Sequence, residues 1–333
     1  MSFAGGSATP ILNKSAFSSI KVLVPERKSQ EKIAAVLSTY DDLIETNQRR
    51  IALLERIAEE IYREWFVRLR FPGHEKTKIA KGVPAGWQLL PFSEVVTVNP
   101  TERIDKEEER PLVGMEDLSV SSMYFVAKER RKGHVGPKFR NGDVLFPRIT
   151  PSVENGKRGF VLTLADGEVA QGSTEFIVFR EKLISAEHIY FLSCSEGFRT
   201  NAELSMTGAS GRQRVQEECF ASFLVKVPPT ELRAQFSDVV KPMVAQLRIL
   251  AQQCDSLTRT RDLLLPRLIS GKLRVDDLDI QFPPQHGGGE KPAFLMFTKR
   301  ACSRLREHYR FREHGIVGRG AGAKTFLQSA DNS

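Results

Sequence analysis

KIAAVLSTYDDLIETNQRRIALLERIAEEIYREW (32–65) carries apolar side chains at Ile33, Leu37, Tyr40, Ile44, Ile51, Leu54, Ala58, Ile61 and Trp65, and Asn47 fills the one remaining step of an unbroken 4,3,4,3 spacing. That spacing is a heptad seam, the narrow apolar edge of a helix that needs a partner helix to cover it. At ~1.5 Å of rise per residue the stretch runs roughly 50 Å. Asn47 has the character of the polar residue that fixes register in such seams. The plainer reading, the buried face of a helix in a larger globular fold, calls for a wider stripe than strict heptads.

The seam occurs twice. GGSATPILNKSAFSSIKVLVP (5–25) and GASGRQRVQEECFASFLVKVP (208–228) align with Phe17 on Phe220, Ser7 on Ser210 and Pro25 on Pro228, an offset of 220 − 17 = 203. Carried into the heptads, the same offset falls on Phe236, Val240, Met243, Leu247, Leu250, Cys254, Leu257, Arg261, Leu264 and Leu268. So long a period is not a solenoid, whose units run to roughly 20–50 residues. It frames an insert between two strand-and-helix copies. Pro242 and Pro266 qualify the second helix, since an interior proline removes a donor, and Pro242 is expected in the first turn of its continuous part.

The insert opens at GVPAGWQLLPFSEVV (82–96), where Pro84, Gly86 and Trp87 mark a chain leaving a helix for a compact domain. Asp143–Phe146, Gly159–Leu164 and Glu175–Phe179 are short β-branched and aromatic runs bounded by Gly, Pro or Asn, and read as strands. Helices are expected near Ser185–Ser193 and Glu196–Leu204. The fold class that follows is α+β, with one mixed α/β domain of about 140 residues, a normal domain size, flanked by two long helices.

Composition bounds the chemistry. At 333 residues two domains fit. Cys194, Cys219, Cys254 and Cys302 show no C-x-x-C pairing, so neither zinc nor a disulfide framework is expected and the compartment reads as reducing. No apolar run is long enough to span a bilayer and the N-terminus lacks a signal-peptide pattern, so a cytoplasmic protein is expected. The formal net charge is +8, and residues 128–158 hold nine basic side chains against Glu129, Asp143 and Glu154, locally +6. Such a patch suits a phosphate backbone, although a charge run is more often a solvated face.

Catalytic patterns are missing where they would be sought. Asn99-Pro100 continues as Thr-Glu rather than the Pro-aromatic of amino-methyltransferases, and no glycine-rich nucleotide turn or Gly-x-x-x-x-Gly-Lys-Ser/Thr loop occurs. Glu26-Arg27-Lys28 mimics the end of a nuclease motif, but such triplets are common by chance. His74, His134, His188, His286, His308 and His314 are scattered without ligand spacing. No catalytic residue, metal or cofactor is assigned.

Five segments in order carry a resemblance: DDLIETNQRRIALLERIAEEIYREWFVRLRFPG (41–73), GDVLFPRITPSVENGK (142–157), GSTEF (172–176), TGASGRQRV (207–215) followed by VPP, and LLLPRLISGKLRV (263–275). Together they resemble the DNA-specificity subunit of type I restriction-modification systems, over roughly residues 5–280. Members of that family carry two target-recognition domains, each followed by a long helix, and the helices pair as an antiparallel coiled coil that sets the gap between two half-targets and docks methyltransferase subunits. The subunit has no catalytic centre of its own.

What the resemblance implies here is a map. Residues 1–25 would be the end of a missing first recognition domain, 26–72 the first conserved helix, 82–228 a complete recognition domain, 229–275 the second helix and 281–333 a disordered basic tail. The seam residues Ile33, Leu37, Tyr40, Ile44, Asn47, Ile51, Leu54 and Ile61 would face Leu247, Leu250, Cys254, Leu257 and Leu264. Partners would be double-stranded DNA, methyltransferase subunits, the restriction/translocase subunit and a second copy of the chain through the coiled coil. Arg148, Thr150, Asn155, Lys157 and Arg158, Thr174, and Ser210, Arg212, Gln213 and Arg214 are the candidate DNA contacts. Arginine suits guanine, asparagine or glutamine suits adenine, and glycines in TGASGRQR permit close backbone approach. Against this, the shared motifs would only hold the domain together while reading falls to Lys128–Arg140. Two other functions remain in view: a truncated remnant that binds methyltransferase without reading DNA, and a free-standing coiled-coil DNA-binding regulator.

Overall fold

A computed structural model of the chain describes residues 18–19, 24–209, 211–276 and 278–280. The expectations for residues 1–17 and for the 281–333 tail lie outside the described residues. These form two compact units, one of residues 40–263 and one from the described parts of 1–39 and 264–333.

In chain order, α1 (Arg27–Tyr62) closes in a π-helical turn, Arg63–Val67. Then come β1 (Ile79–Ala80), β2 (Val83–Pro84), β3 (Gln88–Pro91), α2 (Phe92–Val95), β4 (Val96–Val98), β5 (Arg110–Val113), β6 (Glu129–Arg131) and β7 (Lys138–Arg140). After them follow β8 (Val144–Pro147), β9 (Gly159–Phe160), β10 (Val169–Gly172), β11 (Phe176–Glu181), α3 (Ala186–Cys194), α4 (Glu196–Leu204), α5 (Glu218–Ser222), β12 (Leu224–Val227) and α6 (Thr230–Ile269). Two four-stranded sheets, ordered β4-β11-β8-β9 and β6-β5-β10-β7, make the body of the insert, and β12 pairs with β3 across its two ends.

The apolar runs in β8 and β11 explain the layering. Successive side chains of a strand point to opposite faces. Accordingly Val144, Phe146, Ile177 and Phe179 enter one buried cluster while Leu145, Phe176 and Val178 enter another. In the first, Phe92, Phe146, Phe179, Phe198 and Phe220 pack with ring centroids 5.0–5.8 Å apart, distances at which offset and edge-to-face pairs attract.

Three expectations need correction. The strand expected at Gly159–Leu164 is a regular strand only over Gly159–Phe160. Val161 still exchanges backbone bonds with Gly142 and Asp143 (both 2.9 Å), and past it side chains take over: Leu164 N donates to Asn141 Oδ1 (3.1 Å) and the Thr163 hydroxyl to Phe125 O (2.8 Å). The first helix, expected to 72, has its last helical turn at Arg63–Val67. Pro242 and Pro266 both lie inside α6, which starts twelve residues before Pro242. The missing bonds are offset by burial of Val240, Val244 and Leu268 beside them.

Within residues 40–263 the helices touch in opposite senses. Asn47 Nδ2 donates to Gln253 Oε1 (3.4 Å), the Cys254 thiol lies 3.8 Å from Ile44 O, and Arg261 pairs with Asp41 (2.6 Å). Position numbers fall along α1 as they rise along α6. Ile44, Asn47, Ile51, Leu247, Leu250 and Cys254 are buried, and Tyr40, Leu54, Ile61 and Leu257 are half-buried. In the other unit Leu37 and Leu268 cluster with Val275, and Ile33 and Leu264 pack on them. The buried stripe of α6 also takes in Val244 and Ala251, outside the strict heptads, because this part of the helix also joins the core of the insert.

That junction is aromatic. Tyr62 and Phe66, rather than the seam positions Ile61 and Trp65, are the buried pair at the end of α1, where the π-turn shifts the winding. Phe66 lies 4.3 Å from His188 and 4.8 Å from Phe236, ring centroid to centroid. The imidazole is 3 % exposed, and burial pushes its pKa down from 6.5 to about 3. The unfolded chain therefore takes up a proton that the folded chain refuses. Full stability holds above about pH 6.5 and is lost as pH falls towards 3, by on the order of 4 kcal/mol over the whole window. His188→Phe is expected to lose less stability between pH 7 and 4 than the parent, measured as the shift in urea midpoint. Parallel losses would remove His188 from the account.

Candidate nucleic-acid interface

Three of the sequence segments meet beside the end of β8. Thr150 N donates to Gln213 O (3.1 Å) and Val215 N to Arg148 O (2.8 Å), which fastens the strand exit to residues 213–215. The TGASGRQR segment folds back on itself, with Arg214 N donating to Thr207 O (2.8 Å) and Thr207 N to Arg214 O (3.1 Å). Gly208 and Gly211 make this reversal at φ +124° and +78°, and a Cβ on Gly208 would meet Arg212 O at 3.0 Å. The structure thus brings Arg148, Thr150, Gln213 and Arg214 together, with Thr174 exposed next to Glu175. Arg212 is exposed at the tip and makes no ion pair among the described residues. Ser210 lies outside the described residues.

The arginines of this cluster already have acids. Arg214 grips Glu175 through Nε and a terminal nitrogen (3.0, 3.1 and 2.6 Å), a fork that holds the Glu175 carboxyl below the usual carboxylate range. Arg148 donates to Glu217 Oε1 (3.2 Å), whose other oxygen accepts from Asn99 Nδ2 (2.7 Å). Asn99 sits at φ +47°, a backbone conformation asparagine tolerates, and its side-chain oxygen also accepts from Val178 N (2.9 Å). Glu175, Glu217 and Asn99 were not among the sequence candidates. Glu175 stands inside GSTEF, but nothing in the spacing pairs it with Arg214.

The other arm is corrected. Arg158 is 3 % exposed: its Nε donates to Ser193 O (3.1 Å) and its guanidinium lies 4.0 Å over the Phe146 ring. Burial pushes its pKa down to about 10, and a cation so enclosed cannot reach a phosphate at the surface. Thr150 is likewise buried, so it contributes backbone rather than hydroxyl. Lys157 Nζ donates to Met115 O (2.9 Å), and Asn155 stays exposed.

The 128–158 patch is weaker than its sum. Lys128 pairs with Asp117 (3.6 Å), Arg130 with Glu168 (2.8 Å) and Arg140 with Glu102 (3.8 Å), and Lys138 is buried. The acids come from elsewhere in the sequence, so a local count misses them. Arg131 and Lys132, in and just after β6, remain exposed.

Comparison with known proteins gives these parts a class. A profile of the type I restriction modification DNA specificity domain matches residues 1–56. The MjaIX specificity subunit of Methanocaldococcus jannaschii is 24 % identical over 292 residues, covering 83 % of this chain and 66 % of the relative. The EcoEI specificity subunit of Escherichia coli is 30 % identical over 162 residues, 46 % of this chain and 27 % of the relative. A crystal structure of the type I restriction-modification S subunit from M. genitalium aligns at 15 % identity with a TM-score of 0.46, over 85 % of this chain and 68 % of that one. The chain resembles the DNA-specificity subunits of type I restriction-modification systems, the class expected to be a non-catalytic component. It spans about two thirds of the length of the archaeal relatives and less than a third of the EcoEI subunit. Among the described residues no helix is long and apolar enough to cross a membrane.

Proposed function

We propose that the chain is the DNA-specificity subunit of a cytoplasmic type I restriction-modification complex. In this reading residues 82–228 read one half of a split target in double-stranded DNA, and α1 and α6 pair as an antiparallel coiled coil that sets the spacing and docks methyltransferase and restriction subunits. The observation that carries it is the match to a specificity subunit over 292 residues, long enough to take in parts of both helices and the block between them. The antiparallel contacts of Asn47, Ile44 and Asp41 with Gln253, Cys254 and Arg261 support the pairing. DNA contact is assigned to the exposed Arg212 and Thr174, to Gln213 and to Arg214, with Arg148 holding the strand exit in place.

The test is co-expression with a type I methyltransferase subunit, followed by mapping of methylated adenines. A split motif supports the reading, and a palindromic one adds that two copies of the chain act together. A stable complex that methylates nothing would leave a remnant that binds its partner without reading DNA. The spacing role has its own measurement. Inserting seven residues into both helices is expected to lengthen the unspecified gap and leave the half-site letters unchanged, because a heptad returns the seam to the same face. Altered letters with an unaltered gap would sink it.

A further inference from the structure

We infer that Glu175 acts as an internal stand-in for a DNA phosphate, holding the Arg214 guanidinium until a backbone phosphate replaces it and so suppressing binding to non-target DNA. The inference rests on the proposed reading of residues 82–228 as a DNA reader. A carboxylate and a phosphate present the same pair of oxygens to the planar fork of an arginine, so one ligand can exchange for the other without moving the backbone. The geometry fits such an exchange. Arg214 contacts both Glu175 oxygens, its own side chain is about half exposed, and Glu175 is only one-fifth exposed on the inner side of the pair.

The neighbouring pair behaves differently. Glu217 is anchored by Asn99 as well as by Arg148, and Arg148 is half-buried, so that ion pair is a fixed brace. Among the described residues Glu175 has no second side-chain donor: its backbone N is tied to the Ser173 hydroxyl (3.2 Å) and its backbone O to Arg148 N (2.9 Å). The main chain of Glu175 is therefore held in place while its carboxylate takes its side-chain hydrogen bonds from Arg214, with Arg148 adding only charge at a distance. Arg212, two residues away at the hairpin tip and without an ion pair among the described residues, makes first contact in this scheme, and Arg214 follows.

The experiment measures binding of the full chain to a duplex of arbitrary sequence by fluorescence anisotropy across 0.05–0.3 M salt. Each additional phosphate contact adds about 0.9 to the slope of log K against log salt, which is about tenfold in affinity near 0.1 M. Glu175→Gln frees the guanidinium, so it is expected to steepen the slope by about that amount and to tighten binding about tenfold. In an Arg214→Gln background the same change should have little effect. Glu175→Asp, which keeps the charge but shortens the reach, is expected to move the slope the same way by less, and serves should Glu175→Gln fail to fold. Unchanged slopes in variants that bind as tightly as the parent overturn the inference and leave the proposed function intact, as does an equal effect with and without Arg214, which would mark a general charge effect. Absence of salt-dependent binding in every variant overturns both.

Discussion

Leu250→Asp is expected to cost about 5 kcal/mol or more and to melt the helices together with the insert. Leu250 is 1 % exposed and belongs to the same buried cluster as Ile51, Phe66, Phe146 and Phe179. Truncating a buried leucine alone costs roughly 2–5 kcal/mol, and a carboxyl group placed there without a partner adds its own desolvation penalty. Against a usual total of about 5–15 kcal/mol, little of the folded population would survive. The control is one residue away. Ile249 is exposed, and Ile249→Asp is expected to stay within about 0.5 kcal/mol of the parent. Urea unfolding followed by circular dichroism separates them, and similar losses at both positions would show that α6 is not seated as described.

Asp143→Ala carries the second large effect, about 3–5 kcal/mol. Asp143 is 1 % exposed, receives Arg180 through two nitrogens (both 2.7 Å) and accepts from Arg140 N (2.8 Å). Its loss leaves Arg180 with Glu102 alone, and breaking a buried pair from one side is costly because a charge is stranded. Replacing both members by apolar groups is often nearly neutral. Asp143→Ala with Arg180→Met is therefore expected to recover most of the loss. A double variant no more stable than Asp143→Ala would mean that the backbone bond to Arg140, not the ion pair, is what matters.

Much of the architecture was legible where local signals agreed with tertiary ones. The helix expected near Glu196–Leu204 is found there, and the structure shows why it starts where it does: Ser195 caps it, its hydroxyl accepting from Phe198 N (3.4 Å). The FIVF run reads as a strand because both of its faces are buried. Other features depend on which elements meet. Tyr62 and Phe66 displace Ile61 and Trp65 only because the last turn is π-wound against Trp87 and His188. Arg214 and Glu175 stand 39 residues apart, so their fork was invisible although both lie in segments singled out from the sequence. Arg158 looked like one more cation in a basic run. Only the packing of Phe146 and Ser193 around it turns it inward.

The aromatic junction has a consequence for module exchange. An insert that could be unplugged would meet its helices through a thin, polar hinge, and the sequence at Val83–Gly86 suggests such a hinge before residues 87–228. Instead Trp87 packs on Phe66 and Phe71 (6.0 and 5.2 Å), and His188 packs on Tyr62 (5.3 Å) and Phe236 (5.8 Å). A graft cut at residue 82 would place one parent's aromatic plug in another parent's socket. Chimaeras that keep Tyr62–Phe71 and Phe236 from the same parent as His188 inherit a matched pair, so a cut that preserves the packing lies inside the helices rather than at the loops that join them.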